Sequence, residues 1–170
     1  MSRTLLVTVG STLFPALTDA VLSPAVLAAL PKLGVKRLVV QYGHGDLPPY
    51  TQNDGLEVET MRFTNEYDQL VSESHVVISH AGAGSILSVL RKRPRIRLIV
   101  VPNTSLMDNH QAELADVLGD EGFLTVAAVD RLEDALKATL RDDFFETHKE
   151  FPLVDQTNFP RIVDGLMGYA

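Results

Sequence analysis

The chain has 170 residues, 45% of them hydrophobic, with no cysteine and a formal net charge of −7. That length suits one domain with a core of ordinary size, and it is too short for the two-domain cleft in which many group-transfer enzymes work. The missing cysteines exclude a disulfide scaffold and any thiolate metal site, and the acidic balance argues against nucleic acid as a main partner. No apolar run approaches the roughly 18 residues of a membrane span; the most apolar helical stretch, 16–30, is broken by Asp19, Ser23 and Pro24. The N-terminus opens directly on a strand pattern, so no signal peptide is expected.

Thr4-Leu5-Leu6-Val7-Thr8-Val9 is a continuous apolar and β-branched run, which predicts a strand buried on both faces. Gly10-Ser11-Thr12 follows, and a helical region runs from Pro15 to about Lys32, with Pro24 kinking or splitting it. Residues 37–42 read as a second strand, and 43–49, rich in glycine and proline, as a turn segment. Alternation over 56–63 predicts a third strand near an edge. A short helix over 66–73, a fourth strand over 75–79 and a helix from Ile86, stopped by Pro94, come next. Residues 98–101 make a fifth strand, 108–118 a helix, 123–127 a sixth strand and 132–140 another helix. This alternation predicts an α/β fold, a doubly wound parallel Rossmann-like sheet. We divide the chain into a Rossmann-like domain, 1–141, and a tail, 142–170. The tail ends in an amphipathic helix over 158–167 and packs either on its own domain or on a partner.

Ligands of open α/β sheets bind beyond the carboxyl ends of the strands. Four loops fall there: Gly10-Ser11-Thr12, Gly43-His44-Gly45, residues 80–85, and residues 103–111. The third is the most suggestive. Ser79-His80-Ala81-Gly82-Ala83-Gly84-Ser85 joins a strand to a helix, the layout that aims free N–H groups and a helix dipole at an anion. Its glycines are expected to take positive φ and let backbone approach a phosphate lying over Gly82, Gly84 and Ser85. The alternative is a tight turn that binds nothing. In the fourth loop Asp108 and Gln111 have capping-box spacing. Asn109 and His110 are not explained by a cap, and together the four side chains suit the hydroxyls of a sugar.

Other chemistries find no support. The sequence contains no G-x-G-x-x-G, no G-x-x-x-x-G-K-[ST], no D-x-D pair for a divalent ion and no G-x-S-x-G elbow. No metal site and no cofactor are expected. The basic run Arg91-Lys92-Arg93-Pro94-Arg95-Ile96-Arg97 lies on the opposite sheet edge and reads as a solvated loop, with attraction to an anionic membrane as a lesser alternative. His80 is a weak catalytic candidate; proton carrier, phosphate donor and structural histidine all remain open. His44 is equally open, while His75 and His148 read as structural or exposed.

His80-Ala81-Gly82-Ala83-Gly84-Ser85 together with Leu106-Met107-Asp108-Asn109-His110-Gln111 resembles the small catalytic subunit of the eukaryotic UDP-N-acetylglucosamine transferase that adds the second sugar to dolichyl diphosphate. Thr8-Val9-Gly10-Ser11-Thr12 and Gln41-Tyr42-Gly43 are similar too. The resemblance implies the donor-binding, C-terminal half of a GT-B glycosyltransferase, like that of the bacterial peptidoglycan enzyme. It implies that UDP-N-acetylglucosamine is the donor and a dolichyl-diphosphate-linked sugar the acceptor. It also implies a membrane-anchored partner subunit, with this chain cytoplasmic and recruited to the cytosolic face of the endoplasmic reticulum. Gly10, Ser11, Thr12, Gly82, Ala83, Gly84 and Ser85 would lie on the diphosphate, and Asp108, Asn109, His110 and Gln111 on the sugar. Related enzymes place a ribose-binding acid where this chain has Ser88, a departure that leaves the ribose contact open. Two alternatives are a split transferase of exopolysaccharide synthesis and a non-catalytic nucleotide-sugar-binding subunit.

Overall fold

The computed structural model describes residues 2–104 and 110–153, with the side chains of His110 and Gln111 outside that description. The predicted sugar contacts Asp108 and Asn109, and the predicted helix over 158–167, lie outside the described residues. Six strands are seen: β1 (Arg3–Thr8), β2 (Val35–Gln41), β3 (Glu57–Met61), β4 (Val76–His80), β5 (Arg97–Val101) and β6 (Thr125–Val126). They form one sheet in the order β3-β2-β1-β4-β5-β6, and every neighbouring pair is parallel. The helices are α1 (Pro15–Val21), α2 (Pro24–Lys32), α3 (Tyr67–Ser72), α4 (Ala83–Leu90), α5 (His110–Asp120), α6 (Leu132–Thr139) and α7 (Phe144–Thr147).

The strand periodicity of two divides the core into two layers. Leu5 and Val7 of β1, Val76 and Ile78 of β4, and Ile99 and Val101 of β5 face one side, against Leu17, Leu27, Leu30 and Leu136. Leu6, Val77, Leu98 and Val100 face the other, against Ile86, Val89, Ala115 and Leu118. Each fully buried Leu or Ile contributes roughly 2 kcal/mol, so a strand such as β1, apolar at both parities, is stable only with helices on both faces. Pro24 splits the first helical region, as expected. It cannot donate the N–H a continuous helix needs, and instead opens α2, with Ser23 Oγ accepting from Val26 N at 3.4 Å.

The chain runs outward from β1 through β2 to β3, then returns to the middle at β4 and continues through β5 to β6. The switch point of the sheet therefore lies between β1 and β4, and the loops that follow these two strands diverge from it. They are 9–14 and 81–82, the first and third of the loops singled out from the sequence.

The opposite edge corrects one expectation. The basic run is not a solvated loop. Arg93 donates to the Phe151 carbonyl at 2.6 Å and pairs with Glu150 at 2.6 Å. Arg95 donates to the His148 carbonyl at 2.8 Å and lies over the Phe145 ring. Arg97 stacks over Phe144 and Phe145, and Lys92 pairs with Asp68. These cations fold residues 141–151 back onto the sheet edge, where Phe144 and Phe151 are buried. His75 and His148 are structural: His75 Nδ1 accepts from Thr4 N, and the His148 ring stacks on Phe144 at 3.9 Å.

Candidate functional site

Helix α4 starts three residues earlier than its apolar pattern indicates, so Ala83, Gly84 and Ser85 form its first turn. Their N–H groups precede any intrahelical acceptor, and the first helical bond is Ile86 N to the Gly82 carbonyl at 3.0 Å. Among the described residues no side chain caps this end. The positive end of the helix dipole is therefore presented beyond the carboxyl end of β4, with Ala83 and Gly84 exposed and Ser85 half-buried. Ser88 Oγ donates to the Ser85 carbonyl at 2.8 Å, turning the hydroxyl proton onto its own helix.

The glycines of this turn do not take positive φ, contrary to the sequence expectation. Gly82 is the extended N-cap, with φ −72° and ψ 127°, and Gly84 is helical. They are small for two other reasons. A Cβ on Gly82 would lie 2.4 Å from His80 Cε1, so Gly82 makes room for the imidazole. A Cβ on Gly84 would meet none of the described residues within 4 Å, so no described neighbour requires glycine there.

His80 is the hub of the turn. It is buried, and burial lowers its pKa below the usual 6.5, which leaves the ring neutral at neutral pH. Its Nε2 lies 3.3 Å from Ser85 Oγ and would lie 3.0 Å from a Cβ on Gly10. The ring thus joins the loop after β1 to the first turn of α4.

The loop after β1 is held from below. Gly10 has φ +61°, a conformation that suits glycine. Thr12 closes the turn by donating from N and Oγ1 to the Val9 carbonyl, at 3.2 and 2.6 Å, and Ser11 is exposed. Buried Gln41, at the end of β2, accepts from Gly10 N at 2.9 Å and from Thr8 Oγ1 at 2.6 Å. It donates to the Gly10 and Arg62 carbonyls at 2.7 Å each. Arg62 in turn donates to the Gly43 and Gly45 carbonyls. Gly43, at φ +66°, touches the first loop: a Cβ there would lie 2.9 Å from the Gly10 oxygen and 3.0 Å from that of Thr12. Asn103 Nδ2 donates to the Leu13 carbonyl, bringing the loop after β5 to the same edge. His44 is exposed and rests edge-on against Phe63.

The structure thus gathers Gly10, Ser11, Thr12, Gly82, Ala83, Gly84 and Ser85 at the switch point. Sequence reasoning missed Gln41 and Arg62 as organisers. The available signal was a glutamine closing the apolar run of β2, where a buried polar group must find several partners. Neither 10–12 nor 80–85 contains a lysine or arginine. What this arrangement offers an anion is backbone N–H groups, a helix dipole and hydroxyls, a means of holding phosphate groups.

Among the described residues, a six-stranded parallel sheet with helices on both faces is the Rossmann-like architecture of the C-terminal domain of GT-B glycosyltransferases. The chain belongs to the glycosyltransferase family 28 C-terminal domain family, whose model matches residues 4–164. It is 47% identical over 195 aligned positions to the UDP-N-acetylglucosamine transferase subunit ALG13 of Cryptococcus neoformans var. neoformans, covering 98% of this chain and 97% of that protein. The NMR solution structure of an ALG13 superposes with a TM-score of 0.66 at 31% identity, covering 95% of each chain. The crystal structure of Acinetobacter baumannii MurG shares the fold, with a TM-score of 0.58 at 20% identity. All of this chain then matches 46% of that one.

Proposed function

We propose that this chain is the donor-binding subunit of an enzyme that transfers N-acetylglucosamine from UDP-N-acetylglucosamine to N-acetylglucosaminyl-diphosphodolichol, the second step of lipid-linked oligosaccharide assembly. The reading is supported by the 47% identity to an ALG13 transferase subunit together with the first turn of α4, which no described side chain caps and where Gly84 meets no described neighbour beside the Gly10 loop. The diphosphate lies against Gly10, Ser11, Thr12, Gly82, Ala83, Gly84 and Ser85. The sugar lies against Asp108, Asn109, His110 and Gln111, and Ser88 is the candidate for the ribose.

The acceptor hydroxyl attacks the anomeric carbon with inversion as the bond to the diphosphate breaks. Negative charge then grows on the departing UDP, where the Ala83, Gly84 and Ser85 N–H groups stabilise it without needing to reorganise. Uncharged donors suffice because they are fixed and point at the developing charge. His80, buried and neutral, shapes the turn and orients Ser85. A general base must deprotonate the acceptor, whose side of the site is carried by a membrane-anchored partner subunit. The split-enzyme reading is supported by the curated relative's name, which calls it a transferase subunit. With the partner, this chain works on the cytosolic face of the endoplasmic reticulum, with no cofactor beyond the donor.

The test is transfer of labelled N-acetylglucosamine onto the lipid acceptor by the chain alone, by membranes carrying the partner, and by the two together. Transfer is expected only from the combination. Turnover by the chain alone would remove the split-enzyme reading. Donor binding without transfer in any mixture would favour the non-catalytic alternative.

A further inference from the structure

We infer that Gln41 is a positioning residue for donor binding, acting through Gly10 and His80 on the first turn of α4. This rests on the reading that the switch-point loops hold the donor diphosphate. The argument begins with burial. A primary amide at the end of an inner strand must satisfy two donor hydrogens and a carbonyl oxygen. Gln41, 4% exposed, satisfies all of them, and all toward loops of this one edge. Its oxygen receives Gly10 N and Thr8 Oγ1, and its nitrogen donates to the carbonyls of Gly10 and Arg62.

Both backbone groups of Gly10 are thus clamped by one side chain, at the residue whose left-handed φ of +61° sets the direction of the Gly10-Ser11-Thr12 turn. Gly10 in turn lies against His80 Nε2, which faces Ser85 Oγ at 3.3 Å. A change at Gln41 therefore reaches both walls of the anion site through contacting atoms. Through Arg62, whose guanidinium holds the Gly43 and Gly45 carbonyls, the same clamp extends to the loop after β2. Gln41 itself is buried beneath the first loop and touches no donor.

Gln41→Glu separates positioning from mere packing. It keeps the shape and the acceptor for Gly10 N, but sets an oxygen against the Gly10 and Arg62 carbonyls. When protonated, that oxygen donates to one of them, and burial raises the pKa of a carboxyl so placed. The measurement is KM for UDP-N-acetylglucosamine and kcat of the full chain combined with its membrane partner, across pH, beside thermal melting. At alkaline pH KM is expected to rise roughly 10-fold or more with kcat within about 3-fold, and to recover as pH falls. A folded variant with wild-type KM at every pH, or a loss in kcat alone, overturns the inference. If Gln41→Glu does not fold, Thr8→Val decides. It removes one of the two bonds received by the amide oxygen, and a roughly 3-fold higher KM supports the inference while an unchanged KM overturns it. If the wild-type combination shows no transfer, it is the functional reading that fails, and UDP titrated against the full chain then tests Gln41 separately. Weaker UDP binding by the variant supports the clamp, and equal binding overturns it.

Discussion

The two edges of the sheet treat polar groups in opposite ways. At the amino edge, four cations in the run 91–97 are spent on the chain itself: Lys92 on Asp68, and Arg93, Arg95 and Arg97 on the segment 141–151. At the carboxyl edge, no lysine or arginine is present in 10–12 or 80–85, Arg62 is spent on the carbonyls of Gly43 and Gly45, and among the described residues no side chain caps the first turn of α4. The edge that looks like an anion site in sequence is a structural strap, and the two loops that can receive an anion carry no cation of their own. Guanidinium groups near backbone carbonyls are drawn into the fold, whereas N–H groups of a helix start have no acceptor within their own helix and remain available.

The sharpest way to break this contrast is to fill Gly84. Its missing Cβ meets none of the described residues, so Gly84→Leu is expected to leave thermal stability unchanged while displacing the diphosphate from three N–H groups. Donor affinity should then fall roughly 100-fold or more by calorimetry with UDP-N-acetylglucosamine. Gly82→Ala tests the other glycine. Its Cβ would overlap His80 Cε1, so it should cost about 1–3 kcal/mol in urea unfolding and weaken donor binding as well.

Arg93→Ala addresses the amino edge. It removes the bond to the Phe151 carbonyl and the pair with Glu150, both partly exposed to solvent. A loss of about 1–2 kcal/mol in urea unfolding is expected, with donor affinity unchanged. The smallest effect concerns acid. Because the folded pKa of His80 lies below 6.5, the unfolded chain takes up a proton there before the folded chain does. The stability His80 contributes is complete above pH 6.5 and is lost as pH falls toward its folded pKa. His80→Gln should flatten that part of the stability profile, measured by urea unfolding between pH 7 and pH 5.

Much of the fold was legible because β1, β4 and β5 are apolar at both parities, a pattern only a doubly covered sheet satisfies. Pro24 announced the break between α1 and α2 through its missing N–H. The site was legible in outline: the loops bearing Gly10 and Gly82 fall on the predicted edge and flank the switch point. Three things were not legible. Glycine has more than one use, and only coordinates separate a residue that relieves an imidazole, as Gly82 does, from one that takes positive φ, as Gly10 does. The arginines were misread because their partners, the carbonyls of Phe151 and His148, lie about fifty residues away in sequence and leave no trace in local pattern. Gln41 was hidden for the same reason, its role being set by Gly10 and Arg62 rather than by its neighbours.

The central claim is that the donor diphosphate lies at the carboxyl edge, between the Gly10 loop and the first turn of α4. Titration of the nitrogen-15-labelled chain with UDP-N-acetylglucosamine, followed by amide chemical shifts, tests it most directly. The expected result is saturable shifts at Gly10, Ser11, Thr12, Ala83, Gly84 and Ser85, with residues 91–97 unmoved. Saturable shifts centred on 91–97, with the glycine loops silent, would contradict it.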